Sequence, residues 1–404
     1  THACPLIQSL PDTVRALFHF EKMGIELIHP NIQMKYGLEH LKNELKKVSV
    51  FKKISKKELK FALKEAYRVQ KEFFTKIQDE GQKAIAELKV DEEALVFIGR
   101  SYNTSDIGLN LNLPSKLSNL GVKCFPMDFL PLYEVDIAKD YPNMYWHYGQ
   151  KILSAAKLIR ENPKMYGVYI TNFGCGADSY IHPYTEREFG SKPLLTLEID
   201  EHSADAGVIT RCEAFLDSIQ AIEPERKVSN EYQVPNPGFH KKTLKERTIY
   251  IPHMGDPAYG VAAAFQAYGI DARIFEPSDE ETLELGRKHS TGKECYPYLM
   301  TLGDILKIIK KHGQNHDKVA FFMPSATGPC RFGQYHFFQN IILNELGYTD
   351  VYFVNPNQGK DFYQEFHISG KGFELLAWKS LLFIEQMDKM MREIRPYEVN
   401  QGET

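Results

Sequence analysis

The sequence predicts an α/β protein with two parallel sheets and a mostly helical N-terminal region. Short apolar runs alternate with helical segments from residue 94 onward, and the same alternation restarts at residue 248 after a polar stretch. Short apolar strands separated by helices are typical of parallel sheets that are covered on both faces. We therefore expect a helical region at 1–92, α/β domains at 93–222 and 248–404, and a linker at 223–247.

The N-terminal region predicts helices across residues 13–90. Within it, apolar residues recur near a 3.6-residue period over residues 55–88, with no proline. Ser55 and Glu58 have the S-x-x-E spacing of a capping box, in which each residue satisfies a free backbone N–H of the other. The sequence thus predicts a long helix or a helical pair that begins directly after Ser55.

Eight short apolar runs predict the strands of the two domains. In the first domain they lie at 94–99, 122–127, 167–173 and 194–200. In the second they lie at 248–254, 272–277, 319–324 and 351–356, with helices at 256–268, 297–312, 332–346 and 370–394. The stretch between the domains is polar, holds three prolines and lacks an amphipathic period, which predicts a linker.

Composition narrows the classes of partner. The chain has 404 residues, 43% hydrophobic and 25% charged, with a formal net charge of −4, values that are ordinary for a soluble globular protein. This charge indicates neither nucleic acid nor an anionic membrane surface as a partner. The sequence shows no signal-peptide pattern and no apolar run of the ~18 residues that a membrane span needs. We expect a cytoplasmic protein without structural disulfides.

The six cysteines have unusual surroundings. Five lie beside Gly or Pro in turns or at strand edges, and the sixth, Cys212, lies in an apparent helix. Gly lets the backbone approach an inorganic cluster and Pro stiffens the loop, so these contexts favour iron ligation. No C-x-x-C occurs, which argues against zinc ribbons and ferredoxin-type sites. The alternative is six free thiols, mostly buried. The five are Cys4, Cys124, Cys175, Cys295 and Cys330.

Two of these cysteines follow the third predicted strand of their domains. Cys175 follows 167–173, and Cys330 follows 319–324 within a Gly-Pro-Cys sequence. Ligands of open α/β sheets bind beyond the carboxyl ends of the strands. We therefore expect the cysteines of both domains to point at a shared cleft.

Four segments carry a resemblance to a known family. TNFGCGADSY (171–180), LEIDEHSADAGVITRCEAF (197–215), GKECYPYL (292–299) and FFMPSATGPCRFGQYHFFQN (321–340) resemble proteins related to the activases of 2-hydroxyacyl-CoA dehydratases. The resemblance is closest to the double-cubane-cluster proteins of anaerobic bacteria. It covers most of the chain, is strongest over 94–356, and implies two Rossmann-like lobes with parallel sheets plus the helical N-terminal region.

The resemblance also implies an iron–sulfur cofactor. In this family an 8Fe-9S double-cubane cluster joins two 4Fe-4S cubanes through a further sulfide. Each cubane needs three thiolates, so the resemblance implies that all six cysteines are metal ligands: Cys4, Cys124, Cys175, Cys212, Cys295 and Cys330. Cys212 is the weakest candidate because its surroundings are those of an ordinary amphipathic helix. Gly174, Gly176 and Gly328 are suited to present backbone N–H groups to the cluster.

The activity that the resemblance implies is ATP-driven reduction. An activase with its own 4Fe-4S cluster would hydrolyse ATP and pass low-potential electrons to this chain, which would reduce a small molecule. In some relatives ATPase activase domains precede a unit of this kind in the same polypeptide. Here we expect the activase as a separate partner.

Multi-electron reduction also needs proton donors. The candidates lie next to a cysteine or at a strand end: Tyr296, Arg331, Tyr335, His202 and His253. The alternative for Arg331 is a surface ion pair. For His202 the alternative is simple exposure or a helix-terminal hydrogen bond, since residues 198–202 favour a turn.

ATP binding by the chain itself is not expected. Asp106-Ile107-Gly108 is only faintly similar to the phosphate loop of actin-like ATPases, because Asn110 stands where that loop has Thr or Ser. No G-x-x-x-x-G-K-[ST] occurs. ATP hydrolysis is therefore assigned to the partner.

Two alternatives to this function stay open. The chain could be a 2-hydroxyacyl-CoA dehydratase subunit with a single 4Fe-4S cluster on three cysteines, or an electron-storage protein without a substrate. A homodimer is expected in each case, through the N-terminal region or the helix at 370–394. The apolar residues of that helix could instead pack on their own domain: Leu375, Leu376, Trp378, Leu381, Ile384 and Met387.

Overall fold

Two units make up the chain, each built around a four-stranded parallel sheet. The computed structural model describes residues 4–172, 174–221, 244–349, 351–356 and 372–403. The first unit comprises Thr1–Ile137, Tyr145–Cys175 and Tyr184–Tyr232, and the second comprises Ala138–Met144, Gly176–Pro183 and Gln233–Thr404. The helical N-terminal region therefore belongs to the first unit. Two short segments of the first half of the sequence belong to the second unit.

The first unit combines the N-terminal helices with an α/β sheet. Helix α7, Asp178–Phe189, runs from the second unit into the first. In chain order the other elements are α1 (Pro5–Phe18), α2 (Gly37–Leu45), α3 (Lys56–Ala86), β1 (Ala94–Gly99), α4 (Ser101–Ser105), α5 (Leu113–Asn119), β2 (Lys123–Pro126), α6 (His147–Glu161), β3 (Met165–Thr171), β4 (Leu194–Glu198) and α8 (Asp205–Gln220).

Helix α3 begins as the sequence predicts. The Glu58 backbone N–H donates to the Ser55 hydroxyl over 3.1 Å, and the Ser55 N–H donates to the Glu58 carboxylate over 2.9 Å. This capping box satisfies two N–H groups that a helix start leaves free. Near its other end, a Cβ at Gly81 would lie 2.6 Å from Phe129. Only glycine lets α3 lie this close to the turn that follows β2.

The first sheet has the strand order β2-β1-β3-β4, all parallel. Every residue of β1 and of β3 is buried, because helices cover both faces of the sheet. Gly99 ends β1 with a φ of +152°, and a Cβ there would lie 2.5 Å from the carbonyl oxygen of Ile170. The chain then turns directly into α4, so α4 begins at the carboxyl edge of the sheet.

The second unit repeats this architecture with strand order β6-β5-β7-β8, again all parallel. Its core joins β5 and β7 to α9 and α13. In chain order its elements are β5 (Thr248–Ile251), α9 (Pro257–Ala267), β6 (Ala272–Ile274), α10 (Glu280–Lys288), α11 (Tyr296–His312), β7 (Val319–Phe322), α12 (Tyr335–Glu345), β8 (Tyr352–Val354) and α13 (Phe373–Ile394).

Glycines set the close contacts between helices of the second unit. A Cβ at Gly303 of α11 would lie 1.8 Å from the carbonyl oxygen of Thr282 in α10. A Cβ at Gly260 of α9 would lie 2.9 Å from the backbone of Ser380 in α13. The α10–α11 and α9–α13 pairs therefore pack backbone against backbone.

The predicted fold class is confirmed: two α/β units with parallel sheets and a helical N-terminal region. All eight predicted strands are present, each within about two residues of its predicted start. Residues 223–243 of the predicted linker lie outside the described residues. Among the helices that the structure describes, none is both long and apolar enough to cross a membrane.

Candidate functional site

Sheet topology places the candidate ligand-binding edge in each unit. In parallel sheets of this kind, ligands bind outside the carboxyl ends of the strands where the strand order reverses. In the first unit that point lies between β1 and β3, and in the second between β5 and β7. Cys175 follows β3 and Cys330 follows β7, as the sequence predicts.

Cys295 and Cys330 of the second unit both stand at helix N-termini. Cys295 is the N-cap of α11 and its thiol is half-buried. Cys330 is the N-cap of the 3₁₀ turn Arg331–Gln334, which leads directly into α12, and its thiol is exposed. The free N–H groups and the dipole of a helix start favour an anion, and a thiolate is such an anion.

The Tyr335 hydroxyl connects these two cysteines. Tyr335 is the first residue of α12, and its hydroxyl is hydrogen-bonded to the Cys295 thiol. Burial raises the pKa of Tyr335 far above its usual range, and the hydrogen bond to Cys295 and the charge of Cys330 raise it further. Arg331 opposes this change. The Tyr335 hydroxyl therefore keeps its proton and can donate it to a thiolate in a hydrogen bond.

A cluster of aromatic rings in the same unit fixes Tyr335. Its ring lies 5.3 Å from the Tyr298 ring, 6.2 Å from the Tyr180 ring and 5.2 Å from the Phe332 ring. Phe338 closes the cluster, at 5.7 Å from both Tyr180 and Tyr298. Tyr180 and Tyr298 are fully buried, so the cluster shields this side of Tyr335 from water.

Arg331 is held by uncharged partners. Its guanidinium donates to the Ser179 hydroxyl over 3.1 Å and to the Lys293 carbonyl oxygen over 3.4 Å. A Cβ at Gly176 would lie 3.8 Å from the Arg331 side chain. Neither of these contacts is an ion pair. Its positive charge remains beside Cys330 and Tyr335.

Cys175 ends the equivalent edge of the first unit. Its N–H donates to the carbonyl oxygen of Asn172 over 3.2 Å, and Gly174 between them adopts a φ of +69°. This turn needs glycine because L-residues rarely adopt that conformation. The Cys175 thiol is partly exposed, at the position where the sequence predicts a ligand.

Cys124 and Cys212 lie in the hydrophobic core of the first unit instead. Cys212 is fully buried in α8, and Cys124 of β2 packs against the same core. Burial raises the pKa of each thiol to about 11, and the proximity of Cys212 raises the pKa of Cys124 further. Both thiols are therefore protonated at neutral pH, and a metal ion would have to displace these protons in order to bind there. Their role as ligands stays a prediction.

The remaining predicted positions lie at the surface. Cys4 is the exposed N-cap of α1, and Tyr296 is the exposed first residue of α11. His202 is exposed in a turn made by the Asp200 carboxylate, which accepts a 3.0 Å hydrogen bond from the His202 N–H. The favoured turn role of residues 198–202 thus matches the structure.

Three further predictions concern His253, Gly328 and the triplet Asp106-Ile107-Gly108. His253 follows β5, with its Nε2 3.8 Å from the Asp256 carboxylate. At Gly328 a Cβ would meet no atom within 4 Å, so packing does not require glycine there. The Asp106 carboxylate accepts hydrogen bonds from the N–H groups of Gly108 and Leu109 over 2.9 and 3.0 Å, which makes it a turn residue.

Sequence reasoning did not find the aromatic cluster around Tyr335. Tyr180 lies in a segment distant in sequence that joins the second unit, and nothing in the local pattern marks that placement. Among the residues that the structure describes, no group of three or more His, Cys, Asp or Glu side chains is arranged to hold a metal ion.

The N-terminal part of the chain is similar to a known protein family. Residues 1–130 match the CoA enzyme activase uncharacterised domain (DUF2229). The matched residues cover α1–α5, β1 and β2. No curated protein matches the chain in sequence.

Two solved structures align with the chain at low similarity. They are the dinucleotide forming acetyl-coenzyme A synthetase 1 of Ca. Korarchaeum cryptofilum in its apo form and in complex with phosphate and ADP. Each shares 10% identity and covers 74% of this chain and 68% of its own, with a TM-score of 0.17. At that score the alignment supports neither a fold nor a function.

Proposed function

We propose that this chain is the iron–sulfur redox component of an activation system for a CoA-dependent enzyme. It would accept low-potential electrons from an ATP-hydrolysing activase and reduce a small molecule. The observation that carries the proposal is the arrangement of Cys295 and Cys330 at two helix N-termini, with the protonated Tyr335 hydroxyl close to both. The match of residues 1–130 to an activase-related domain supports the same system.

The donor set of the second unit fits an iron–sulfur cluster. Cysteine thiolates are the usual ligands of such clusters, and hydrogen bonds to sulfur together with burial set their reduction potential. Tyr335 supplies a hydroxyl donor beside Cys295, and Arg331 supplies a positive charge that offsets a cluster's negative charge. When bound, a cluster would supply one-electron transfer at low potential.

The cysteines differ in how well they suit ligation. Cys295 and Cys330 of the second unit would be ligands on the grounds given above, and Cys175 of the first unit is a separate candidate for its place after β3 in a Gly-Cys-Gly turn. Three thiolates suffice for one 4Fe-4S cubane with an open iron. The 8Fe-9S double cubane needs six thiolates, so iron binding would also have to displace the protons of Cys124 and Cys212.

The number of ligating cysteines separates the proposed function from a second candidate. A single cubane on three cysteines is what the family resemblance implies for a 2-hydroxyacyl-CoA dehydratase subunit, whereas the double cubane is implied for a reductase of small molecules. An electron-storage protein would hold either cluster and consume no substrate. ATP would be hydrolysed by the activase partner in each case, since Asp106 serves a turn.

Iron and sulfide content after anaerobic purification tests the proposal. We expect about four irons per chain for a single cubane and about eight for the double cubane. Replacing Cys330 or Cys295 by Ser should remove most of the iron, while Cys212→Ala, the matched control, should leave it unchanged. A colourless protein after anaerobic reconstitution with iron and sulfide would refute the proposal. Loss of iron in Cys212→Ala would restore the six-ligand cluster.

Measurements of ATP hydrolysis and substrate consumption distinguish the reductase, the storage protein and the dehydratase, since each of them would bind an iron–sulfur cluster. With an activase and a low-potential donor, a reductase shows ATP hydrolysis that rises when a small-molecule acceptor is added. A storage protein shows a fixed number of electrons taken up and no acceptor dependence. Dehydration of a 2-hydroxyacyl-CoA, measured by loss of the substrate, would identify the dehydratase.

A further inference from the structure

A cavity of about 320 Å³ lies in the first unit at the carboxyl ends of β1 and β2. Ser101 and Ser105 of α4, directly after β1, line it, as does Asp128, which follows β2. Ligands of α/β sheets bind at this end of the strands. The volume falls at the lower end of the range of about 300–1,000 Å³ that is usual for small-molecule sites. Position and size are therefore those of a ligand pocket.

Lys151 of α6 gives the cavity its hydrogen-bond donors. Its side chain is only 9% exposed, and its Nζ lies 2.5 Å from the Asp128 carboxylate. An ammonium group has three N–H donors, and Asp128 accepts one of them. Among the residues that the structure describes, Nζ has no other hydrogen-bond partner. A ligand that offers an acceptor to Lys151 would satisfy a donor that is already desolvated.

The charges of the side chains that line the cavity cancel. Lys151 and Asp128 are the charged side chains among its lining residues, and they pair with each other. Burial, together with the Lys151 cation, lowers the pKa of His147, so that ring is neutral at pH 7. The Ser101 and Tyr148 hydroxyls are hydrogen-bonded to each other over 3.0 Å. An anion would lose its hydration here without a net opposite charge in return, so an uncharged acceptor fits better.

The opposite wall of the cavity is apolar. Phe73, Phe74 and Ile77 of α3 line it, with the Phe73 and Phe74 rings 5.9 Å apart. The contact of Gly81 with Phe129 fixes α3 against this edge of the sheet. The Tyr133 ring, stacked 6.2 Å from His147, adds a further flat surface. These walls suit an aromatic or aliphatic body.

We infer that this cavity binds an uncharged small molecule with an apolar body and a carbonyl oxygen, such as a ketone, an amide or an ester. The carbonyl oxygen accepts a hydrogen bond from Lys151, and the apolar body packs on Phe73 and Phe74. Asp128 holds the ammonium in place and keeps the site neutral. The inference rests on the first unit alone and is independent of any iron–sulfur cluster.

A pair of probes of equal shape tests the inference on the full-length protein. Benzamide carries an uncharged carbonyl group, and benzoate carries a charged one on the same ring. Calorimetric titration and saturation-transfer NMR should show benzamide binding, with benzoate at least about tenfold weaker. The double variant Lys151→Met with Asp128→Leu removes the ammonium donor without leaving a buried carboxylate unpaired and without adding a new donor. It should weaken benzamide binding by about tenfold, while the exposed control Lys76→Met should not.

Each other outcome overturns part of the inference. Benzoate binding as tight as benzamide binding would contradict the uncharged ligand class. Unchanged benzamide binding in the double variant would contradict the location, and absence of saturable binding by both probes would contradict the site. If the double variant unfolds, Phe73→Ala replaces it, because that ring is 53% exposed and contributes the wall rather than the core. Phe73→Ala should weaken benzamide binding several-fold.

Discussion

The Tyr335 hydroxyl and the Cys295 thiol are hydrogen-bonded to each other within the second unit. Cys295 caps α11 and Tyr335 begins α12, so this bond joins the N-termini of two helices. Burial first, and then Cys295 itself, raise the pKa of Tyr335, which keeps the hydroxyl protonated. When the sulfur is a thiolate, Tyr335 must therefore be the donor.

Tyr335→Phe should lower the midpoint potential of a cluster bound through Cys295. Hydrogen bonds to ligand sulfur stabilise the more negative, reduced state, so removing one favours the oxidised state. The ring remains in its aromatic cluster, and we expect iron content to be unchanged. The measurement is a redox titration followed by EPR.

Tyr296→Phe is the matched control, because Tyr296 is next to Cys295 in sequence but exposed to solvent. The midpoint potential of the cluster in Tyr296→Phe should equal that in the unmodified protein. An equal shift in both variants would mean that the Tyr335 hydroxyl has no specific action on the sulfur. Slower reduction of substrate in Tyr296→Phe at an unchanged potential would instead support the proton-donor role predicted for Tyr296.

Local sequence signals account for the elements of the fold. The capping box at Ser55 and the uninterrupted period after it predict α3, and β1 and β3 are short apolar runs that end at turn sequences. These features depend on neighbours within a few residues, so one sequence is sufficient to find them. The weak repeat of strands and helices then predicts two similar sheets.

The site was less predictable because it depends on residues distant in sequence. Gly or Pro near a cysteine does not predict its burial: Cys124 precedes Phe125-Pro126, yet it packs beside Cys212 in the core. The segment Gly176–Pro183 joins the second unit and brings Tyr180 to Tyr335. Such a placement follows from packing, on which local periodicity carries no information.

Gly303→Ala should destabilise the second unit strongly. The new Cβ would lie 1.8 Å from the Thr282 carbonyl oxygen, so α10 and α11 must move apart. Overpacking of this kind costs about 1–3 kcal/mol or more. Gly207→Ala in α8 is the control: no atom lies within 4 Å of its Cβ, and helix propensity predicts a gain of up to about 1 kcal/mol. Thermal and urea unfolding measure both, and equal stabilities of the two variants would contradict the close packing.

His336 should make the protein less stable as the pH falls below neutrality. It is buried in α12 with Nε2 3.4 Å from the Asn143 amide, and burial lowers its pKa from 6.5 to about 4. The unfolded chain binds a proton near pH 6.5 while the folded chain does not. The stability that the neutral His336 contributes is complete above pH 6.5 and is lost as the pH falls from 6.5 towards 4.

His336→Gln tests that pH dependence. Between pH 7 and pH 5 the unmodified protein should lose about 2 kcal/mol more stability than the variant. Urea unfolding at the two pH values measures the difference. Parallel loss in both proteins would show that His336 titrates normally in the folded state.

Helix α13 has two apolar sides with different surroundings. Leu376 packs against the core of the second unit, and Leu381 and Ile384 are partly buried, so the expected packing on its own domain holds for this side. The other side is exposed within the described residues, including Trp378 at 62% and Phe383 at 64%. Exposed apolar surface of this extent marks a contact surface.

We therefore expect a homodimer that the exposed side of α13 stabilises. Light scattering should give about twice the chain mass of 46.5 kDa. The double variant Leu382→Glu with Phe383→Glu should give the single mass, because two carboxylates cannot be buried unpaired in an interface. Val90→Glu, at an exposed apolar position of the first unit, is the control and should leave the dimer intact. A mass of one chain for the unmodified protein at micromolar concentration would rule out the dimer. If the double variant is still a dimer, the two new carboxylates lie outside the interface, and the dimer contact must be formed by a surface other than α13.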